Sequence, residues 1–168
     1  MKTNQQKYAE LIRGKRVVFV GACPNITGME LGKFIDDFDL VVKSNGSVLM
    51  QTDKEYQKDY GSRTDILYCN NQFQREMKPF DLKFMRGQGV QYLNFKNIGD
   101  PWKTEYNKTM VVRDISKIVR HVQRGCRSAA YGPMIYVDLL QFRPAELFIT
   151  GVDFFASKKA KFEHDNYG

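Results

Sequence analysis

Two short apolar runs, each ended by a glycine, constrain the fold of this chain more than any other feature. One covers residues 17–20 and stops at Gly21, and the other covers residues 147–150 and stops at Gly151. Short runs of this kind, without alternating polar positions, are typical of strands buried on both faces of a parallel sheet. We therefore expect helices on both sides of a sheet that contains these two strands.

Strand and helix patterns alternate along the rest of the chain. Strands are predicted at 38–42, 65–69 and 90–95, and helices at 5–13, after a capping box formed by Thr27 and Glu30, at 114–123 and at 133–142. Loops are predicted at 43–46 and 97–107. This alternation predicts an α/β fold, a Rossmann-like three-layer α/β/α domain with a mostly parallel sheet, formed as one domain by residues 1–168.

The composition excludes two classes of protein. With 42% hydrophobic residues among 168, the chain can bury a core and is not intrinsically disordered. Its longest apolar stretch, at 17–23, is far shorter than the roughly 20 residues of a membrane-spanning helix. The polar start of the chain has no signal-peptide pattern, so we expect a cytoplasmic protein without a membrane segment.

Charge and cysteine content suggest ligand classes without fixing one. The 26 Lys and Arg against 19 Asp and Glu give 26 − 19 = +7, which favours an anionic ligand such as a phosphate or a nucleic acid, or is simply a basic surface. Cys23, Cys69 and Cys126 lack paired metal-ligand spacing and are expected to be reduced, mostly buried thiols. His121 lies in a helical pattern and is expected to be solvated.

Several loops follow predicted strands, at the edge where open parallel sheets bind ligands. The loop from Gly21 to Gly28 enters a helix, whose backbone N–H groups can receive a phosphate; the alternative is an ordinary turn. Gly132 with Pro133 opens a later helix and offers a second such place. Beyond the last predicted strand, Asp153 either binds a ribose hydroxyl or caps a turn.

Three further side chains have a functional and a structural interpretation. The Asn45 amide can bond a base or ribose edge, or it can belong to an Asn-Gly turn. Arg63 can pair with a phosphate, or with Asp59 or Asp65. The imidazole of His164 can accept a proton near neutral pH, or it can be a terminal residue without a role.

Three groups of residues stand in the order of one family's motifs. The first spans 17–63 and contains Gly21-Ala22-Cys23-Pro24-Asn25, Gly28, Gly32, Ile35-Asp36, Lys43-Ser44-Asn45 and Gly61-Ser62-Arg63. The second runs from Gly132 to Phe154, and the third contains His164. They resemble the large, small and very small motifs of glycosyltransferase family 29, the sialyltransferase family, particularly its short microbial and viral members.

This resemblance implies a metal-independent glycosyltransferase that uses a cytidine monophosphate sugar, such as CMP-sialic acid, and inverts the anomeric centre. No cofactor is expected, and His164 would act as the base toward the acceptor. The implied nucleotide-binding residues are Gly21, Ala22, Cys23, Pro24, Asn25, Asn45, Tyr131, Gly132, Gly151 and Asp153. Lys43 and Arg63 are expected to give structural or phosphate support.

The chain departs from the usual family residues at Ala22, Lys43 and Tyr131. Two other functions therefore stay open beside the transferase. One is a hydrolase of a nucleotide or nucleotide sugar, similar to an N-glycosidase, in the same pocket. The other is a noncatalytic protein that binds a nucleotide or a nucleic acid. The acceptor and the oligomeric state are not predicted.

Overall fold

The computed structural model describes residues 2–69, 82–95, 111–125 and 131–152, which contain a six-stranded sheet. The strands are β1 (Arg16–Val20), β2 (Leu40–Ser44), β3 (Ile66–Cys69), β4 (Tyr92–Phe95), β5 (Val111–Asp114) and β6 (Glu146–Thr150). The α-helices are α1 (Asn4–Ile12), α2 (Gly32–Asp36), α3 (Lys54–Tyr60), α4 (Leu82–Gly87), α5 (Ser116–Gly125) and α6 (Tyr131–Leu140). Two 3-10 helices, Pro24–Ile26 and Asn45–Thr52, lie after β1 and β2.

Helices cover both faces of the sheet, as the apolar runs predict. Alternate residues of a strand point to opposite faces, so Val17 and Phe19 of β1 belong to one core cluster and Val18 and Val20 to another. The first cluster lies under α1, α5 and α6, and the second under α2 and α3. A third cluster packs Met85 of α4 against β3 and β4 on the same side as α2 and α3. The three-layer α/β/α prediction is confirmed.

The strand order places a reversal next to β1. Every neighbouring pair is parallel, in the order β5-β4-β3-β2-β1-β6. The chain adds strands in one direction from β1 to β5 and then crosses back to place β6 on the other side of β1. In open α/β sheets, ligands bind outside the carboxyl ends of the strands at such a reversal. The topology therefore makes the loops after β1 and β6 the expected place of a ligand site.

Two strands differ from their predictions. The sequence analysis does not predict β5, because Val111 and Val112 are followed by the charged Arg113 and the apolar run is too short to indicate a buried strand. The loop predicted at 43–46 is wrong in its first half, since Lys43 continues β2 and pairs with Val20 of β1. The loop predicted at 97–107 lies outside the described residues.

The capping box predicted for Thr27 and Glu30 is wrong. Glu30 and Gly28 both have positive φ, at 54° and 82°, so the chain is not helical there, and α2 begins only at Gly32. The carboxylate of Asp59 on α3 accepts the N–H groups of Gly28 and Glu30 at 2.7 and 2.8 Å. A carboxylate acceptor forms stronger hydrogen bonds than a hydroxyl, so this distant cap prevails over the local one.

The described residues bear on several predictions about membrane helices, thiols and His121. None of the helices in the described ranges has the length and apolar character that crossing a bilayer requires. Cys23 and Cys69 are buried thiols, as expected, and Cys126 lies outside the described residues. His121 is exposed on α5, as predicted.

Candidate functional site

The loops after β1 and β6 lie directly against each other at the strand reversal. Gly21 donates its N–H to the carbonyl of Thr150, and Cys23 donates to the carbonyl of Gly151, both at 2.9 Å. A Cβ on Gly21 would fall well under 3.0 Å from the Gly151 carbonyl oxygen, and a Cβ on Gly151 would similarly overlap the Gly21 carbonyl. Gly151 also has a φ of +65°. Both glycines are therefore required by this backbone contact, whatever else the loops bind.

The remaining residues of the first loop are held from two sides. The Asn25 side chain donates to the carbonyl of Val152 at 3.2 Å, which ties the 3-10 helix beginning at Pro24 to the β6 loop. The carbonyl of the buried Cys23 accepts the hydroxyl of Tyr60 on α3 at 2.9 Å. Ala22 packs at the border of the core cluster under α2 and α3. These contacts hold the loop after β1 in place beside the strand reversal.

Ser47 connects the loop after β2 to the end of β1. The Ser47 hydroxyl bonds the carbonyl of Ser44 at 2.8 Å and lies 3.4 Å from the carbonyl of Val20, the last residue of β1. Asn45, which lies between Ser44 and Ser47 in sequence, has a φ of +48°. Asparagine tolerates this left-handed conformation better than most residues, so the turn interpretation of Asn45 is supported by its backbone. Asn45 is half-buried and directly follows the last residue of β2.

The amino terminus of α6 reaches the same edge. Tyr131, its first residue, donates its hydroxyl to the carbonyl of Cys69, the last residue of β3, at 2.8 Å. Burial raises the pKa of Tyr131 well above its ordinary value, so the phenol stays protonated and remains a donor. A Cβ on Gly132 would lie 2.9 Å from the hydroxyl of Tyr136, so a larger residue there would displace that ring.

Lys43 is a buried cation near the carboxyl end of β2. It is fully buried on β2, and its Nζ donates to Oε1 of Gln51 at 3.2 Å and to the carbonyl of Gly61 at 3.4 Å. Burial lowers its pKa to about 7, against the opposing effect of the more distant Asp36 and Asp65. Both direct partners, the Gln51 side-chain oxygen and the Gly61 carbonyl, are neutral.

Arg63 makes the ion pair that the structural interpretation predicted. Its Nη1 lies 2.5 Å from Oδ2 of Asp65, and Nη2 donates to the carbonyls of Asp36 and Phe38. Asp65 also accepts the N–H of Val41 at 2.7 Å. Arg63 therefore ties the segment before β3 to the end of α2 and the start of β2.

Other residues of the first motif hold α2 against α3. A Cβ on Gly32 would fall well under 3.0 Å from the carbonyl oxygen of Gln57, so the two helices meet backbone to backbone. Asp36 accepts the N–H and the hydroxyl of Ser62 at 3.0 and 2.8 Å. Gly61, with a φ of +74°, packs against Ile35. These residues build the scaffold under the loops.

Sequence reasoning missed a buried ion pair between β5 and α6. Arg113 donates from Nη1 and Nη2 to the two carboxylate oxygens of Asp138 at 2.9 and 3.0 Å, and their side chains are 5% and 0% exposed. Tyr68 donates to the same carboxylate at 2.5 Å, and Asn94 accepts from Arg113 at 2.9 Å. The one signal was Asp138 itself, a lone carboxylate within an apolar helix, which requires a buried cation.

Two of the predicted site residues are not among those that the structure describes. Asp153 and His164 both lie outside the described residues. Within the described ranges, no three His, Cys, Asp or Glu side chains lie close enough together to hold a metal ion. The polar groups that the described residues place along this edge include the Asn25 amide, which bonds Val152, the Tyr131 hydroxyl, which bonds Cys69, the Asn45 side chain and the amino terminus of α6. All are neutral.

Comparison with known proteins shows a matching family and a solved structure of similar fold. The sequence model of glycosyltransferase family 29 (sialyltransferase) matches residues 3–119. The fold is similar to that of the sialyltransferase CstII from Campylobacter jejuni, determined in complex with the substrate analogue CMP-3FNeuAc. The TM-score is 0.52 at 15% sequence identity, with 91% of this chain and 75% of that chain covered. No curated protein sequence gives a significant match.

The matched residues include most of the scaffold described above. They contain the first five strands and every described residue of the first motif group, from Gly21 to Arg63. The match spans well over half of the chain. The chain belongs to glycosyltransferase family 29, the sialyltransferase family.

Proposed function

We propose that this protein transfers a sialic acid-like sugar from a cytidine monophosphate donor to a hydroxyl acceptor, with inversion and without a metal ion. Family membership supports glycosyl transfer. The observation that carries the proposal is the convergence of four segments at one sheet edge: the loops after β1, β2 and β6 and the start of α6. The Campylobacter enzyme of similar fold was determined with a CMP-sugar analogue, which suggests the donor class.

In this proposal the nucleotide lies across the reversal between β1 and β6. The loop of Gly21, Ala22, Cys23, Pro24 and Asn25, together with Gly151 and Asp153, lines one side of the nucleotide. Asn45 bonds the base or ribose, and the phosphate lies near Tyr131 and Gly132 at the start of α6. Lys43 and Arg63 support the backbone around the nucleotide, Lys43 through its bond to the carbonyl of Gly61 and Arg63 through its bonds to the carbonyls of Asp36 and Phe38.

The reaction we propose is a single displacement at the anomeric carbon. An acceptor hydroxyl attacks that carbon while the bond to the phosphate oxygen breaks, and CMP leaves with the bonding pair. His164 takes the proton of the hydroxyl. Neutral donors at the sheet edge stabilise the negative charge that develops on the departing phosphate, which is the role a preorganised set of N–H and O–H groups performs best. Attack from the opposite side inverts the configuration.

Proton NMR of CMP-sialic acid with the protein tests this function. We expect CMP to appear in the presence of a chelator, and the new glycoside to carry the inverted anomeric configuration. CMP released equally fast without an acceptor would instead identify a hydrolase. A free base would identify an N-glycosidase, and unchanged donor in the presence of a broad acceptor panel would contradict the transferase.

The proposed base can be tested separately from the pocket. His164→Ala should abolish turnover and leave CMP affinity within about twofold, because the imidazole acts on the acceptor and not on the nucleotide. His121→Ala is the matched control, since His121 is exposed on α5, and it should retain full turnover. Unchanged turnover in His164→Ala would remove His164 from the mechanism.

A further inference from the structure

The outer side of α5 is a stripe of positive charge. Lys117, Arg120 and Arg124 recur at helical spacing and are all exposed, while Val119 on the opposite side is buried. The helix contains no acidic residue. Within the described residues none of these three cations forms a salt bridge, in contrast to Lys2, Arg16, Lys58 and Arg63. Three exposed cations on one side of a helix without carboxylates make this stripe positively charged.

Exposed apolar side chains lie on the neighbouring helix. Val137 and Leu140 of α6 are 40% and 56% exposed, and they are two of the four large apolar side chains that stand out at the described surface. Helices α5 and α6 contact each other, and both direct their inner sides to the same core cluster. The two helices therefore lie side by side on one face of the sheet, and we call their exposed residues the α5–α6 face: Lys117, Arg120, Arg124, Val137 and Leu140.

We propose that the α5–α6 face docks on an anionic lipid bilayer. The three cations match the charge of anionic headgroups, and the two apolar side chains can enter the boundary with the acyl chains. Sites for single-stranded nucleic acid commonly add aromatic rings on which bases stack, and both tyrosines of α6 are partly buried against the core. The exposed aliphatic side chains favour lipid instead. The protein would lie on the surface of the bilayer without spanning it.

The expected preference for anionic lipid is large enough to measure. Each Lys or Arg close to an anionic surface strengthens binding roughly fivefold, so three together give roughly 100-fold. Salt screens such interactions over about 10 Å at moderate ionic strength, so high salt should remove most of the preference. This inference does not depend on the sugar donor or on His164.

Vesicle sedimentation with the full chain tests the docking surface. Vesicles of equal parts phosphatidylcholine and phosphatidylglycerol should bind the protein roughly 100-fold more tightly than phosphatidylcholine alone. The triple variant Lys117→Glu, Arg120→Glu and Arg124→Glu should lose this preference. A matched control, Lys33→Glu, Lys54→Glu and Lys58→Glu, changes the net charge equally on the opposite sheet face and should retain most of it.

The apolar part has its own variant. Val137→Ser with Leu140→Ser should weaken vesicle binding severalfold and leave the salt dependence unchanged, because the charges remain. Equal binding to both vesicle types, or equal losses in the two triple variants, would overturn the proposal. So would binding to RNA without binding to vesicles, which would assign the stripe to nucleic acid.

Discussion

At the scale of single residues, two buried charges have opposite surroundings. Arg113 is buried with a carboxylate that satisfies it at two points, so its charge is compensated. Lys43 is buried with an amide oxygen and a carbonyl oxygen, so its charge is not neutralised by a direct partner. Desolvation therefore governs Lys43, whereas at Arg113 an equally real desolvation is outweighed by the hydrogen bonds and the charge of Asp138.

The stability of the protein should depend on pH through Lys43. Its pKa falls from 10.5 to about 7 on folding, so between these values the unfolded chain binds more protons than the folded one. The free energy of unfolding should rise with pH across this window, by up to about 1.4 kcal/mol per pH unit from this group. Lys43→Met should lose that contribution, and Lys58→Met, at an exposed position, should keep it. Urea unfolding at several pH values measures both slopes; parallel profiles for wild type and Lys43→Met would contradict this account.

Breaking the pair of Arg113 and Asp138 should cost more than removing it entirely. Asp138→Ala leaves a buried guanidinium without its carboxylate and should lower the free energy of unfolding by about 3–5 kcal/mol. Asp138→Ala combined with Arg113→Met should recover part of this loss, because no uncompensated charge remains. Urea denaturation of wild type, both single variants and the double variant completes the cycle. Additive losses would show that the two residues do not interact.

At the scale of elements, the contact between the β1 and β6 loops is the most sensitive feature of the site. Gly21→Ala places a methyl group against the Gly151 carbonyl, where backbone must move, and should destabilise the fold by about 1–3 kcal/mol. It should also weaken nucleotide binding, because the proposed pocket uses both loops. Gly87→Ala is the control, since a Cβ there meets nothing within 4 Å. Thermal unfolding and a CMP titration measure the two effects; a Gly21→Ala protein as stable as Gly87→Ala would contradict the close approach.

The elements that could be predicted are those whose signal is local. The apolar runs of β1 and β6 predict both strands from sequence alone, and β1 is buried along residues 17–20 as expected. The burial predicted for β6 is wrong, because β6 is an edge strand of the described sheet and its residues 147–149 are only partly buried. Strand β5 was missed because its apolar run is short and its charged Arg113 is buried by pairing with Asp138, on a helix 25 positions later. The start of α2 was wrong for the same reason, since the acceptor for Gly28 and Glu30 is Asp59 on α3. Contacts between distant residues decided each case.

At the scale of the whole molecule, the parallel sheet and its reversal bring the loops after β1, β2 and β6 and the start of α6 to one edge. The family motifs indicated which segments to expect there, but not that Gly21 and Gly151 touch each other or that Lys43 is buried. Those facts depend on packing between strands and helices far apart in sequence. The roles of Asp153 and His164 stay predictions, because both lie outside the described residues.

A calorimetric titration of CMP into the full chain tests the central claim most directly. We expect saturable binding in the presence of a chelator, with affinity about tenfold lower in Asn45→Ala, since one hydrogen bond to the ligand contributes about 1–1.5 kcal/mol. Thr52→Ala, exposed at the end of the same 3-10 helix, should bind CMP as the wild type does. An absence of saturable CMP binding, or equal affinity in wild type and Asn45→Ala, would contradict the nucleotide site at this edge of the sheet.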